Sequence, residues 1–254
     1  MSKEHRRSVT NATETYYESV TGKVRSAFEE SLVWRTVCAG IRLIDDTYYA
    51  ERGYRLFVLV RPPSVLTKPF ASFVLKTFRR NVLDNPNWPN KPPGGWVIPP
   101  DWIPMVKDTV RTRFVVRYLD GVEYLVNRFL DVGKTHGLQP SVDYEAKEEG
   151  YYAAHLYLLP EFEIPREDWD TKRVRIPVEV QITTQIQENI QVLLHEYYEQ
   201  RRTRPILGYA KWQWDYRSTQ FCASYLGHIL HYLEAMIVEV RDRHKQETQD
   251  AGKV

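Results

Sequence analysis

Three observations predict an α+β fold in which a mixed β-sheet is wrapped by helices, with helical extensions at both ends. Apolar residues recur every three to four positions near each terminus, as they do along amphipathic helices. The middle of the chain interleaves short β-rich runs with helical ones, and such elements bury their apolar faces by stacking in layers. The run Pro177-Val178-Glu179-Val180-Gln181-Ile182-Thr183-Thr184 reads as a strand, so Glu179 and Gln181 share one face while Val178, Val180 and Ile182 share the other. Two polar groups therefore sit on an otherwise apolar element. On alternation alone, a half-exposed strand is the ordinary reading.

In chain order, Val20, Val24, Phe28, Leu32, Val33, Val37 and Ile41 predict one or two amphipathic helices within a helical region over 1–50. Leu56 to Val60 reads as a short strand that stops at Pro62-Pro63. From Pro69 to Asn81 the pattern is helical, with Pro in the first turn where its missing donor is harmless. Residues 84–104 are dense in Pro, Gly and Trp and read as a long loop. Phe114 to Tyr118 reads as a strand and Val122 to Phe129 as a helix that starts near Asp120. Tyr151 to Leu159 and Arg173 to Thr183 are two more strands, expected to pair antiparallel across a charged, turn-forming segment. Helix resumes from Gln185 through Arg201, followed by a loop at Thr203 to Gly208. The last helix has the clearest period, from Phe221 to Val240, and suits core packing or a helix-helix interface. His228 and His231 on it have no third ligand beside them, so metal binding there is not expected. The whole reads as a single domain, with a core over 55–202 and a C-terminal helical region over 209–245.

With 254 residues, 43% hydrophobic and 27% charged, the chain can bury a sizeable core and reads as globular. A formal charge of +2 is too mild to establish a nucleic-acid partner by itself. No apolar run in the sequence reaches the roughly 18 residues that cross a bilayer, and the charged N-terminal stretch lacks a secretory apolar core. Cys38 and Cys222 are far apart and form no Cys-x-x-Cys pair, which argues against structural zinc and fits a reducing compartment. The expectation is a cytoplasmic protein with no membrane and no DNA partner.

Around the polar strand the motifs fall into an order. Gly150-Tyr151-Tyr152-Ala153-Ala154-His155 precedes it, and His195 follows on a helix. Upstream stand Asp108, ahead of a strand carrying Arg113, and Lys68-x-x-x-Ser72-x-x-x-Lys76, whose spacing stacks three polar side chains on one helix edge. This set resembles the synthetase core of the RelA/SpoT alarmone synthetases, with Gly-Tyr-x-x-x-His, Glu-x-Gln and the upstream Lys, Ser and Asp in the family's order over residues 60 to 200. Tyr152, Ala153, Ala154 and Thr183 depart from its usual pattern, Thr183 standing where Arg is typical. The resemblance implies a nucleotidyltransferase-like sheet and a pyrophosphokinase that uses ATP and magnesium.

It also implies roles. Moving a pyrophosphoryl group needs phosphate charge neutralised, a metal and a proton acceptor. Lys68, Ser72 and Lys76, with Arg79, Arg80 and Arg113, would hold ATP. Asp108 would hold magnesium. Glu179 would take the proton of the attacking hydroxyl and touch the metal, with Gln181 beside it. Gly150, Tyr151, His155 and His195 would form the acceptor side, with the Tyr151 ring stacking on a base. A Walker Gly-x-x-x-x-Gly-Lys-(Ser/Thr) and a Rossmann Gly-x-Gly-x-x-Gly are both missing from the sequence.

The Gly-Tyr-Tyr-Ala-Ala-His loop, the Thr183 substitution and the Tyr225 to Glu234 segment look like the toxic small alarmone synthetases. In that group, toxin–antitoxin members transfer pyrophosphate to the 3′ CCA end of tRNA, and others make alarmones. A tRNA acceptor is thus the leading expectation, with a protein antitoxin as partner. Lys172, Arg173 and Arg175 before Glu179, and Arg201, Arg202 and Arg204 after it, are the candidate phosphate contacts. The alternatives are synthesis of (p)ppGpp or (p)ppApp from a purine nucleotide, and a catalytically inactive nucleotide-binding module.

Overall fold

The computed structural model describes residues 11–99, 101–165, 170–192 and 212–251. Two helices open it, α1 (Asn11–Glu30) and α2 (Leu32–Arg52). Ser31 separates them as an N-cap, its hydroxyl accepting from Trp34 N at 3.3 Å. Gly53 ends α2 in the left-handed region at φ 85°, its N–H bonded to Tyr49 O at 2.8 Å. Then come β1 (Leu66–Thr67), α3 (Phe70–Phe78) with a wide-turn continuation over Arg79–Leu83, and β2 (Val110–Val116). They are followed by α4 (Leu119–Thr135), β3 (Ser141–Ala146), β4 (Tyr152–Leu158), β5 (Glu161–Pro165), β6 (Thr171–Arg175) and β7 (Val178–Thr184). A helix from residue 185, described to residue 192, is α5, and α6 (Thr219–Ala251) ends the described chain.

The main sheet runs β1-β2-β7-β4-β3, with β2 and β7 parallel and every other pair antiparallel. The expected mixed sheet with helical extensions is thus present. β7 is buried along its whole length, which rules out the half-exposed reading. Its Val178, Val180 and Ile182 face a core shared with Val20, Phe28, Phe114, Leu125 and Leu156. α4 lies against β2, β7 and β4 on that side, and α1 and α2 extend the layer. The opposite face lines up Arg111 and Arg113 of β2, Glu179 and Gln181 of β7, His155 and Tyr157 of β4, and Asp143 and Glu145 of β3. One sheet therefore has an oily side and a chemical side.

Several expectations need correction. Leu56 to Val60 is not a strand: Phe57 makes one isolated bridge to Val116, because the Asp45 carboxylate takes the N–H groups of Leu56 and Phe57 at 2.9 and 3.0 Å. Arg173 to Thr183 is two strands rather than one. Pro177 cannot donate to a ladder, so the chain breaks there; β6 turns away to pair with β5, and only β7 pairs antiparallel with β4. The segment expected as a turn contains β5, and β1 and β3 were not foreseen. The Pro-rich loop is tied at its centre, where the Asn81 amide donates to and accepts from the Val97 backbone, both at 2.9 Å. α6 is long and apolar enough, by length and composition alone, to cross a membrane, although no single run in the sequence is unbroken enough to suggest it.

Candidate active site

Asp108 stands two residues before β2, at the same end of the sheet as Glu179 in the neighbouring parallel strand. Lys68 Nζ lies 2.9 Å from its Oδ2 and Lys76 Nζ 2.9 Å from its Oδ1. Each lysine thus takes a different oxygen of the one carboxylate. Burial alone would raise the Asp108 carboxyl, but the ammoniums of Lys76 and Lys68 outweigh it and hold its pKa at about 2. The carboxylate is therefore ionised throughout the physiological range. Burial pushes the Lys68 ammonium down while Asp108 pulls it up, for a net lowering.

Lys68 is not on the helix with Ser72 and Lys76, as its spacing suggested. It precedes Pro69, the N-cap of α3, and its backbone N–H is bonded to Thr109 O at 2.8 Å beside β1. Tyr17 of α1 fixes this corner, with its hydroxyl donating to Lys68 O at 2.7 Å and its ring packed on Phe70 and Phe73. The sequence reading missed Tyr17, since nothing local distinguishes it from other core aromatics. Ser72 and Lys76 point outward from α3, Ser72 exposed and Lys76 about half-exposed at its side chain. A cleft of about 280 Å³ beside Lys68 is lined by Tyr17, Thr21, Arg25 and Thr67.

Arg113, Gln181, Tyr151, His155 and Glu179 form one chain of hydrogen bonds. Arg113 Nε donates to Gln181 Oε1 at 2.8 Å, which turns the Gln181 amide nitrogen toward the Tyr151 hydroxyl, to which it donates. Tyr151 Oη lies 3.0 Å from His155 Nε2, and His155 Nδ1 lies 2.7 Å from Glu179 Oε1. A carboxylate only accepts, so Nδ1 of His155 carries its proton toward Glu179, and in the neutral ring this leaves Nε2 to accept from the Tyr151 hydroxyl. Tyr157, opposite Glu179 across β4, approaches the same oxygen at 3.5 Å. Burial drives the Tyr157 phenol up, and the charges of Glu179, Glu145, Asp143 and Asp108 push the same way. Glu145 Oε2 is also 3.4 Å from His155 Nε2. Glu145 and Tyr157 become visible only once the strands are in register.

Other expected residues are placed differently. Arg113, expected among ATP phosphates, also pairs with Glu188 of α5 at 2.7 Å. Arg79 pairs with Asp84 at 3.5 Å, and Arg80 donates to Met105 O at 2.9 Å, tying the Pro-rich loop to α3. Gly150, at φ 77°, packs against α6: a Cβ there would stand 2.4 Å from Ser224 O. Its lack of a side chain thus serves helix docking. On the same side, Tyr152 stacks on His231 at 3.6 Å and bonds His228 Nδ1 at 2.7 Å, so both histidines are engaged by the fold. Among the described residues no group of three or more His, Cys, Asp or Glu side chains is arranged around a metal site. Lys172 is paired with Asp101 and Arg173 with Glu163, while Arg175 has no ion pair among the described residues. His195, Arg201, Arg202 and Arg204 lie outside the described residues.

No family model matches the chain, and no curated protein does. Solved structures match in fold. The small alarmone synthetase 1 from Bacillus subtilis aligns over 84% of this chain and 92% of its own, with 15% identity and a TM-score of 0.55. The same synthetase bound to its product pppGpp aligns over 86% and 96%, with 15% identity and a TM-score of 0.54. The small alarmone synthetase 2 from Bacillus subtilis covers 85% and 99%, with 16% identity and a TM-score of 0.52. At that identity the likeness is one of architecture: this chain has the fold of the small alarmone synthetases, the RelA/SpoT-type synthetase fold.

Proposed function

We propose that the chain is an ATP-dependent pyrophosphokinase that transfers the β,γ-pyrophosphate of ATP to a ribose 3′-hydroxyl, with the 3′ CCA end of tRNA as acceptor. The observation that carries the reading is the pairing of two unlike sites on adjacent parallel strands. Lys68 and Lys76 converge on ionised Asp108 beside β2, and the buried Glu179 receives the His155 hydrogen bond on β7. The lysines neutralise the donor phosphates, and Glu179 accepts the proton of the attacking hydroxyl while His155 steadies its carboxylate. The fold likeness to the small alarmone synthetases supports pyrophosphate transfer as the reaction.

Magnesium fits the donor set. Asp108 and Glu179 offer hard carboxylate oxygens at the same end of two neighbouring parallel strands. When bound, the ion would neutralise charge on the transferred phosphates.

For tRNA, the support is the resemblance to toxic synthetases together with Thr183, which is 1% exposed with its hydroxyl 3.4 Å from Tyr152 O. That position of β7 therefore offers no cation to a nucleotide phosphate. A guanosine acceptor is the second reading, favoured by the pppGpp carried by one of the similar structures. The test is AMP release from labelled ATP with purified tRNA or with GDP and GTP as acceptor. Labelled tRNA that can no longer be aminoacylated supports the first reading; label in a guanosine tetra- or pentaphosphate replaces it with the second, and no AMP in either case removes both. In cells, a tRNA-directed enzyme arrests translation unless a protein antitoxin is co-expressed, and Asp108→Asn or Glu179→Gln removes the arrest.

A further inference from the structure

The three arginines expected to hold ATP are each engaged elsewhere: Arg79 by Asp84, Arg80 by Met105 O, and Arg113 by Gln181 and Glu188. Lys68 and Lys76 share Asp108. Arg111, by contrast, has no ion pair and no hydrogen bond among the described residues. It is partly buried, and its place in the register is central. On one side its partner is Leu66 of β1, two residues before Lys68, and on the other it is Glu179 of β7. It also follows Asp108 by three residues. One step further along the same face come Arg113 and Gln181, where the chain to Tyr151 and His155 begins. Arg111 thus stands between the Lys68–Asp108 corner and the carboxylate that takes the proton.

We propose that Arg111 is the cation that holds the pyrophosphoryl group during its transfer, an inference that rests on the pyrophosphokinase reading. An unpaired, partly buried guanidinium is costly unless an anion meets it, and among the described residues no carboxylate does. The carboxylate beside it in register, Glu179, takes its partners from β4 instead, His155 at 2.7 Å and Tyr157 at 3.5 Å. A salt bridge between the two would lower the basicity of Glu179 and occupy the guanidinium fork. Kept apart, they serve one reaction. The acceptor oxygen bonds to the β-phosphorus as the bond from that phosphorus to the α,β-bridging oxygen breaks. The hydroxyl proton passes to Glu179, and the electron pair leaves on AMP. The oxygens of the moving group carry negative charge throughout, and a planar fork meets two of them with parallel donors. The corner is already short of anions: burial lowers the Lys68 ammonium most, and the like charges of Lys76 and Arg111 lower it further. A phosphate of the acceptor is the poorer occupant, because His155 and Tyr151, on and just before β4, lie across β7 from Arg111.

The experiment measures two things for the full chain, Arg111→Gln and Arg111→Lys: binding of inorganic tripolyphosphate with magnesium present, by titration calorimetry, and AMP release from ATP. Arg111→Gln should bind tripolyphosphate at least about tenfold more weakly and lower kcat about a hundredfold, with the acceptor KM unchanged. Its melting temperature should equal or exceed that of wild type, since the cation removed has no partner to lose. Arg111→Lys keeps the charge without the fork and should recover part of the binding. Equal tripolyphosphate affinity in wild type and Arg111→Gln overturns the proposal, as does a wild type that does not bind it. A loss confined to the acceptor KM also overturns it, by assigning the guanidinium to a phosphate of the acceptor. So does a lowered melting temperature in Arg111→Gln with no recovery of binding in Arg111→Lys, which marks the residue as structural. If wild type releases no AMP with tRNA, GDP or GTP, the pyrophosphokinase reading fails, and a tripolyphosphate affinity lowered by Arg111→Gln still supports Arg111 as a polyphosphate ligand.

Discussion

Arg113 and Glu179 stand at opposite ends of one hydrogen-bonded chain that runs in a single direction, through Gln181, Tyr151 and His155. Each link lies on the chemical face of the sheet or on the turn that feeds it. Glu179 is thus held as an acceptor by Nδ1 of His155, whose other ring nitrogen is engaged by Tyr151. Glu179→Gln keeps the volume but cannot take a proton, and it should lower turnover about a hundredfold or more with the melting temperature nearly unchanged. AMP release near the wild-type rate would remove Glu179 from the base role.

Tyr151→Phe separates two uses of the same ring. If the hydroxyl orders His155, its loss should lower kcat about tenfold and leave the KM for acceptor close to wild type. A ring used only for stacking on a base would instead tolerate Phe and lose acceptor affinity in Tyr151→Ala. Steady-state kinetics of the two variants, with acceptor varied, decide between them.

Lys68→Ala and Lys76→Ala should raise the KM for ATP and leave the acceptor KM unchanged, because both ammoniums sit on the Asp108 side of the site. The same contacts shape acid stability. Asp108 has its pKa depressed to about 2, so its contribution is fully present above the unfolded value near 4 and is lost as pH falls toward 2. That window amounts to about 2 kcal/mol. Urea titrations from pH 5 to pH 2 should show a smaller loss of stability in Asp108→Asn than in wild type.

Much of this was legible in the sequence, and the boundary is physical. The alternation from Val178 to Thr184 located the buried strand and paired Glu179 with Gln181, since strand period is local. Spacing grouped Lys68 with Lys76 but not with Asp108, and the helix-edge reason was mistaken: Lys68 arrives from the turn that Pro69 imposes. Tyr17, Glu145 and Tyr157 were not legible, because each depends on a partner on another element, 51, 10 and 22 positions away in sequence. The break at Pro177 was readable from the missing donor of proline and was overlooked. α6 was periodic in the sequence, but periodicity does not say which face turns inward.

Gly150→Ala tests how the acceptor loop is anchored to that helix. A Cβ at φ 77° is strained by roughly 1 to 3 kcal/mol, and it would also stand 2.4 Å from Ser224 O and 3.0 Å from Gly227 Cα. Both are backbone atoms that cannot rotate away. The variant should lose α6 docking first, visible as faster proteolysis within 219–251 before the core unfolds. Equal protection of both segments would mean that the contact is dispensable.

Glu234 supplies a pH dependence of opposite sign to that of Asp108. Burial drives its carboxyl up to about 7, although Thr184 Oγ1 donates to it, and the Asp120 charge pushes in the same direction as burial. In the unfolded chain the group titrates near 4.3. Between these values the native state keeps a proton that the unfolded state has released, so stability falls as pH rises from about 4.5 to 7 and is level above that. The loss amounts to at most about 4 kcal/mol. Glu234→Gln stays uncharged and can still accept from Thr184, so it should remove this slope and be more stable than wild type at pH 8 while matching it near pH 4.5. Denaturant titrations across that range measure both curves, and parallel slopes would assign the pH dependence to another group.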